Sequence, residues 1–237
     1  MDKRPKTLII IPAYNEGENL LQVIENIQKC CPQWDYLVVN DGSTDCTEDL
    51  CARHSLCAVH LPINLGIGGA VQTGYRYALK NHYDIAVQID GDGQHDVAFL
   101  EDMLRPLTDR ETDVVIGSRF INKEGFQSSL LRRAGIRFLS WLIKLCTGVR
   151  IYDVTSGFRA VNRKFIRLYA EQYPTDYPEP EAIIAAVMHR GRIKEVPVVM
   201  RQRESGSSSI HGFQSAYYMI KVSLSIIICR ITFGIRR

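Results

Sequence analysis

Short apolar runs alternate along this chain with amphipathic helical patterns, and this alternation limits the fold more than any other feature. Helical spacing of apolar residues is clear at about 18–30, for example, between the first two strand-like runs. Strands that are apolar throughout and separated by helices predict an α/β fold with a mostly parallel sheet covered by helices. The strand-like runs are 7–12, 36–39, 58–61, 85–89, 113–116 and 193–200.

Polar segments follow four of these runs at the point where each predicted strand ends. They read PAYNE (12–16), NDGSTD (40–45), DGDGQHD (90–96) and GSR (117–119). Ligands of parallel α/β sheets bind outside the carboxyl ends of the strands. The sequence therefore predicts a binding site on one rim of the sheet. Ser43 or Thr44 is expected to cap the helix that follows NDGSTD.

The DGDGQHD segment concentrates acidic side chains beside two glycines. Asp90 and Asp92 are two residues apart, which puts both on one face of an extended chain. Paired carboxylates with open space around them suit Mg²⁺ or Mn²⁺, which share oxygens with substrate phosphates. His95 is either a ligand or base in this site or the start of the next helix, with Asp96 as its cap.

A second glycine-rich segment, NLGIGGA (64–70), has two interpretations. Glycines opening a helix after a short strand resemble a dinucleotide-binding fingerprint. Val71 occupies the third glycine position and the unit is not the first in the chain, so a dehydrogenase is disfavoured. A phosphate or sugar contact at this helix start is the interpretation that remains.

Charge and cysteine content exclude other classes. The net charge of +3 is too weak for a nucleic-acid-binding protein. Seven cysteines, without a CxxC pair or a secretory signal, predict reduced thiols in the cytoplasm. Basic residues are in excess over 190–237, which suits phosphate groups or an anionic membrane surface.

The C-terminal segment, 211–237, is apolar but interrupted by Lys221 and Arg230. Its uncharged runs, 211–220 and 222–229, are far shorter than the roughly 20 residues that a membrane-spanning helix needs. We expect an amphipathic helix at a membrane interface, following a first domain at 1–210. A helix packed on that domain is the alternative.

Six segments together resemble family 2 glycosyltransferases, in particular the dolichyl-phosphate-mannose-synthase-like branch. They are IPAYNE, NDGSTD, NLGIGGA, DGDGQHD, GSR and SGFRA, in the family's order within about residues 7–210. The resemblance implies a GT-A fold, a Mg²⁺ or Mn²⁺ cofactor and inverting transfer from a UDP- or GDP-sugar. A polyprenyl-phosphate, glycolipid or saccharide acceptor in cell-envelope glycan synthesis is implied, at the cytoplasmic face of the membrane.

The resemblance also assigns residues to the nucleotide and its diphosphate. Those near the nucleotide are Pro12, Tyr14 and Glu16, Asp41 as the acid that reads the base, and Gly69. Those near the diphosphate are the metal-binding Asp90 and Asp92 with Gly91 and Gln94 in the same loop, Arg119 as a phosphate or acceptor contact, and Arg203.

Acceptor activation has several candidates. Glu179 and Glu181 are candidate bases, and Asp153 is a candidate base or positioning residue, or else a cap or partner of Arg159. The sequence leaves the base, the sugar, the acceptor and the oligomeric state open. A catalytically inactive nucleotide-sugar-binding subunit of an assembly is the alternative function.

Overall fold

A computed structural model describes residues 4–122, 124, 130–175, 177–201 and 213–235. The strands are β1 (Thr7–Ala13), β2 (Asp35–Asn40), β3 (Ala58–His60), β4 (Ile85–Gln88), β5 (Val114–Ser118), β6 (Arg159–Asn162) and β7 (Ile193–Pro197). The helices are α1 (Leu20–Cys30), α2 (Thr47–Arg53), α3 (Gly66–Lys80), α4 (Leu100–Thr108), α5 (Leu130–Thr147), α6 (Arg163–Glu171), α7 (Pro178–Met188) and α8 (Phe213–Ile235). A 3-10 turn, Val97–Phe99, precedes α4.

The strands form one seven-stranded sheet in the order β3-β2-β1-β4-β6-β5-β7. β1 is buried along its whole length and pairs in parallel with β2 and β4. β6 alone among these strands runs antiparallel, between β4 and β5. The expected mostly parallel α/β sheet is confirmed, and its parallel strands end on one rim.

Helices cover both faces of the sheet, as continuous apolar strands require. One apolar cluster joins the sheet to α3, α5, α6, α7 and part of α8, and includes Tyr75 and Phe165. The other joins it to α1 and α4, and includes Leu20 and Met103. Side chains alternate between these clusters along β1, with Ile9 and Ile10 facing opposite sides.

Two local details test the expected helix starts. Asp96 accepts a hydrogen bond from the Ala98 amide at 3.1 Å and so caps the 3-10 turn, which was one of the two interpretations of this segment. The expected cap by Ser43 or Thr44 is wrong, because Asp45 accepts the Thr47 amide at 2.9 Å at the start of α2. Ser43 faces the β1 loop instead.

Strand β6 was not expected from the sequence. It contains the end of SGFRA, and four residues are too few for a clear alternating pattern. Its place in the sheet comes from pairing with two neighbours that are distant in the chain. The expected strand at 193–200 is shorter, ending at Pro197.

Helix α8 packs on the domain and also exposes an apolar stripe. Val222 and Ile226 are fully buried against the core, and Met219 lies near Gly135 of α5. Ile220, Leu224, Ile227, Ile228 and Ile231 are exposed. In the described part of the chain, every helix falls short of the length or apolarity needed to cross a membrane. The boundary at residue 210 stays a prediction.

Candidate functional site

The loops after β1 and β2 bind each other at the rim of the sheet. Asn15 has a left-handed backbone, with φ of 55°, and its amide donates to the Ser43 hydroxyl at 3.0 Å. The Thr44 amide donates to the Asn15 side chain at 2.8 Å. Gly91, in the loop after β4, packs so closely that a Cβ would lie 3.1 Å from the Pro12 carbonyl oxygen. The parallel strands thus bring PAYNE, NDGSTD and DGDGQHD together.

The residues assigned to the nucleotide differ in accessibility. Tyr14 is 47% exposed, whereas Asp41 is only 3% exposed. One Asp41 carboxylate oxygen accepts the Leu65 amide at 2.7 Å, which ties the loop after β2 to the start of α3. The Glu16 carboxylate accepts from Asn19 at 2.9 Å. Only Tyr14 among these side chains combines large size with open exposure.

Two glycines of NLGIGGA, Gly68 and Gly69, serve packing. A Cβ on Gly68 would lie 2.1 Å from the Pro174 carbonyl oxygen, and the Gly68 amide donates to the Thr175 carbonyl at 3.1 Å. A Cβ on Gly69 would lie 2.5 Å from Leu65. Close approach to the segment before α7 therefore explains Gly68, whose amide is already bonded to protein.

Asp90 and Asp92 lie at the rim directly after β4. Both residues are partly exposed, and Asp92 accepts the Gln94 amide at 3.0 Å. The described residues contain no group of three or more His, Cys, Asp or Glu side chains able to enclose a metal. Two carboxylates on an open rim fit Mg²⁺ or Mn²⁺, since Mg²⁺ commonly takes one or two protein carboxylates and completes its shell with phosphate oxygens and water.

Asp90 is held by neighbours on both sides. The buried Gln88 side chain donates to one carboxylate oxygen at 3.2 Å. The other oxygen lies 3.6 Å from Nε2 of His95, whose Nδ1 accepts the Asp90 amide at 3.0 Å. The His95 ring is buried and stacks on Phe158 at 4.9 Å between centroids. His95 thus contacts Asp90 and does not merely open the next helix.

Arg119 and Asp153 form a buried bidentate ion pair. Nε of Arg119 donates to one Asp153 oxygen at 2.7 Å, and an NH₂ group donates to the other at 2.7 Å. Asp153 is 0% exposed and Arg119 is 8% exposed. The Asp153 amide donates to Glu195 at 2.8 Å. This geometry favours a positioning role for Asp153. Its carboxylate is fully buried and both of its oxygens accept hydrogen bonds from Arg119, so it cannot reach an acceptor.

The partner of Asp153 is therefore Arg119, and of the alternatives for Asp153 the pairing with Arg159 is not the one that forms. Arg159 is buried and donates to three carbonyl oxygens, of Ser156 at 2.7 Å, Val154 at 3.1 Å and Glu179 at 2.6 Å. It thereby ties the segment before β6 to the start of α7.

The two candidate bases lie in different surroundings. Burial raises the pKa of Glu179 above its usual value, the Arg159 guanidinium opposes this rise, and the Asp90 carboxylate adds to it. Glu179 is therefore within electrostatic reach of the metal-binding loop. Burial raises the pKa of the Cys229 thiol in α8, and the Glu181 carboxylate adds to this rise. Glu181 therefore lies on the side of the domain that α8 covers. Arg159, which lies opposite the last residue of β4 in the sheet, also binds the Glu179 carbonyl, so the backbone of Glu179 lies near the end of β4, while the role of either acid stays a prediction.

The segment after β7 returns to the metal-binding loop. The Arg201 amide donates to the Gln94 carbonyl at 2.9 Å, and the Gln94 side chain donates back to the Arg201 carbonyl at 3.4 Å. Arg201 also pairs with Asp96 at 2.9 Å. Gln94 is thus engaged with the polypeptide just before Arg203, and Arg203 itself lies outside the described residues.

A basic cavity of about 590 Å³ lies beside the rim, between α5 and the chain around Arg150 and Tyr152. Four cationic and three aromatic side chains line it, and no acidic residue of the described chain does so. The Arg133 Nε is buried and has no hydrogen-bond partner among the described residues. The lining residues are Phe120, Arg133, Arg137, Ser140, Trp141, Lys144, Arg150 and Tyr152.

Sequence reasoning did not identify Gln88, Gly157 or this cavity as parts of the site. Gln88 had a visible signal, because it is a polar residue in an apolar strand run. Gly157 had none, since its contact with Asp90 depends on β6. The convergence of the α5 cations with Arg150 depends on the turn after the helix.

The fold and its acidic rim define a nucleotide-dependent sugar transferase of the GT-A type. The chain matches Glycosyl transferase family 2 over residues 8–169, and it belongs to this family. It is therefore a glycosyltransferase, as the six sequence segments indicated.

Curated relatives span nearly the whole chain. Polyprenol monophosphomannose synthase of Mycolicibacterium smegmatis is 30% identical over 228 residues, covering 92% of this chain and 86% of the relative. Undecaprenyl-phosphate mannosyltransferase of Micrococcus luteus is 31% identical over 216 residues, covering 87% and 88%. A UDP-N-acetylglucosamine–dolichyl-phosphate N-acetylglucosaminyltransferase of Methanococcus voltae is 29% identical over 241 residues, covering 91% and 95%.

Solved structures share the fold. Glucosyl-3-phosphoglycerate synthase from Mycobacterium tuberculosis, in complex with Mn²⁺, UDP and glucosyl-3-phosphoglycerate, superposes with a TM-score of 0.69 at 18% identity. The match covers 96% of this chain and 80% of that one. At this identity the likeness confirms the GT-A architecture.

Replacing Asp153 tests whether its ion pair is structural. Asp153→Ala removes the carboxylate that pairs with the buried Arg119 guanidinium, so we expect the free energy of unfolding to fall by about 3–5 kcal/mol. Asp102→Ala, which breaks the exposed Asp102–Arg105 pair, is the control and should change it by about 1 kcal/mol or less. Denaturant titration measures both. An Asp153→Ala protein as stable as the wild type would show that the ion pair contributes little to stability.

Proposed function

We propose that this glycosyltransferase moves a sugar from a UDP- or GDP-sugar to a polyprenyl phosphate, with inversion and with Mg²⁺ or Mn²⁺ as cofactor. The observation that carries the proposal is the basic cavity beside Phe120, which follows β5 on the same rim of the sheet where Asp90 and Asp92 follow β4. A donor that carries a diphosphate suits the acidic rim through a shared cation, and an anionic acceptor suits the cavity. Three relatives named above carry a polyprenol, undecaprenyl or dolichyl phosphate in their names.

On the donor side, Asp90 and Asp92 would hold the cation, with Gln94 completing the loop. When bound, the cation neutralises charge that develops on the departing nucleoside diphosphate. Pro12, Tyr14, Glu16, Asp41, Gly69 and Gly91 surround the nucleotide in this proposal. Arg203 would supply a second positive charge to the leaving group. In support, Arg201, two residues before it in the sequence, is bonded to Gln94.

On the acceptor side, the cations of the basic cavity would bind the lipid phosphate. Arg133 carries a buried Nε that has no partner in the described chain, and an anionic oxygen would satisfy it. Arg119, the residue before Phe120 of the cavity lining, would make a further contact to the phosphate. Its bidentate bond to Asp153 fixes its guanidinium at the end of β5, next to the cavity residue Phe120. Arg119 remains a proposed phosphate contact.

A phosphate acceptor reduces the need for a base. Its oxygen is already ionised and can attack the sugar carbon directly, whereas a hydroxyl must lose a proton. Glu179, whose pKa the Asp90 carboxylate helps to raise, would then orient the acceptor or shape the charge of the site. Glu181, whose surroundings are on the α8 side, is the weaker candidate for either role.

An apolar surface on α5 and α8 supports contact with a membrane. Leu130, Leu131, Phe138, Trp141 and Leu145 of α5 are exposed, and so is the stripe on α8 described above. Lys144 and Arg230 add positive charge beside this surface. Large exposed apolar patches with basic borders are typical of proteins that lie on anionic membranes. We propose peripheral binding at the cytoplasmic face.

The direct test supplies donor, acceptor and metal together. UDP- and GDP-linked sugars are offered with undecaprenyl phosphate and Mn²⁺, and the sugar-lipid product and free nucleoside diphosphate are measured. Asp92→Asn should lower the rate about 100-fold or more, because the cation loses a charged ligand. Asp102→Asn, an exposed acid on α4, should keep the rate. Binding without turnover for every donor would instead support the inactive assembly subunit.

Glu179→Gln distinguishes the two acceptor classes. With a polyprenyl phosphate acceptor we expect kcat within about tenfold of the wild type, because no proton has to be removed. A general base contributes about 10²–10⁴-fold to the rate, so a loss of that size would indicate a hydroxyl acceptor. Glu181→Gln is the matched control on the same helix and should change kcat little. Steady-state kinetics at saturating donor measure both variants.

Arg137→Ala tests the basic cavity as the acceptor site. Removing one charge-assisted hydrogen bond costs about 1.5–3 kcal/mol, so KM for undecaprenyl phosphate should rise about tenfold or more. The assay uses detergent micelles, which separates phosphate recognition from membrane binding. Arg105→Ala, on the exposed surface of α4, is the control. An unchanged KM in Arg137→Ala would place the acceptor elsewhere.

A further inference from the structure

The antiparallel strand β6 brings a distant segment of the chain against the metal-binding loop. In the register between β4 and β6, Gln88 lies opposite Arg159. Because the strands run in opposite directions, each step beyond Gln88 meets a step before Arg159. Asp90 is therefore opposite Gly157, although the two are far apart in sequence. If β6 ran parallel to β4, the residues following β6, and not those preceding it, would lie beside Asp90.

Gly157 touches the Asp90 carboxylate directly. A Cβ at Gly157 would lie 2.9 Å and 3.0 Å from its two oxygens, and 3.2 Å from the Gln88 amide nitrogen. The backbone of Gly157 has no positive φ that would demand glycine. The absence of a side chain at Gly157 therefore makes room for the carboxylate in its present orientation.

His95 and Phe158 complete the contacts. A backbone amide can only donate, so the Asp90 amide fixes Nδ1 of His95 as an acceptor. A neutral ring then carries its proton on Nε2, which lies 3.6 Å from the second Asp90 oxygen. Phe158, the residue after Gly157, stacks on this ring with an interplanar angle of 18°. The ring is thus held between the metal-binding loop and the segment before β6.

Arg159 fixes the segment that carries Gly157. Its three hydrogen bonds to the carbonyl oxygens of Val154, Ser156 and Glu179 use the guanidinium as an internal brace. The Phe158 amide also donates to the Ser156 hydroxyl at 3.3 Å. Because these hydrogen bonds fix the backbone at Gly157, that backbone can determine where the neighbouring Asp90 side chain points.

We propose that Gly157, Phe158 and His95 are positioning residues that hold the Asp90 carboxylate in the orientation required for metal binding. This inference rests on the proposed metal-dependent function and assigns a role to SGFRA. Hydrogen-bonded neighbours of ligating carboxylates orient them, and their replacement commonly lowers metal affinity about 10–100-fold. Gln88 contributes a third contact from within β4.

Gly157→Ala is the sharpest test, because the added methyl group meets the carboxylate of the Asp90 side chain. We expect the Kd for Mn²⁺ to rise about tenfold, while affinity for nucleotide without metal and the thermal midpoint stay at wild-type values. Free Mn²⁺ is measured by electron paramagnetic resonance, with whichever of UDP or GDP stabilises the wild type. Gly135→Ala, where the methyl group would meet the Met219 side chain, is the matched control.

His95→Phe and His95→Gln separate stacking from hydrogen bonding. The Phe variant keeps a ring against Phe158 but removes both nitrogens, so it should bind Mn²⁺ about tenfold more weakly. The Gln variant retains an amide donor toward Asp90 and should bind more tightly than the Phe variant. At saturating Mn²⁺ the rate of Gly157→Ala should recover toward the wild type, which a general structural defect would not produce.

The outcomes distinguish this inference from the function on which it rests. Wild-type Mn²⁺ affinity in both Gly157→Ala and His95→Phe would overturn the positioning role while leaving the sugar transfer intact. A wild-type protein that binds no Mn²⁺ with either nucleotide would overturn both. Weaker Mn²⁺ binding together with a lower thermal midpoint in Gly157→Ala, but not in Gly135→Ala, would show a structural role and overturn the inference.

Discussion

The parallel pairing of β1 with β2 and β4 is the constraint on which the rest of the molecule depends. β1 is buried along its length, and its neighbours run in the same direction. The loops that follow these strands therefore meet at one rim. Backbone hydrogen bonds and apolar burial determine the position of that rim. The polar loops bind each other at the rim, as Asn15 and Ser43 do.

The antiparallel strand β6 adds what the parallel strands cannot supply. Parallel strands bring together the loops that follow them. Because β6 is antiparallel, the residues that precede it, including Gly157, lie beside Asp90 at the carboxyl end of β4. Arg159 braces that backbone and also reaches the start of α7, where Glu179 lies. The acidic rim, the SGFRA segment and α7 thus form one connected structure, in which the Arg119–Asp153 pair anchors the side next to the basic cavity.

The parts of the site that could be predicted are those encoded within one loop. Asp90 and Asp92 follow an apolar strand run, so both their spacing and their place on the rim follow from the sequence. Asp153 could not be assigned in this way, because its partner, Arg119, is 34 positions away and at the end of another strand. For the same reason, the sequence placed Glu179 and Glu181 together although they face different surroundings.

The sequence by itself determined the α/β class, the mostly parallel sheet, the acidic rim and the family, because these depend on local periodicity and on short segments in order. Only the tertiary structure decided which groups meet across the chain. It placed β6 against β4, gave Gly157 its contact with Asp90, paired Asp153 with Arg119 and gathered the cations of α5 around a cavity with Arg150. These contacts depend on strand direction and on packing between distant elements, which local patterns do not encode.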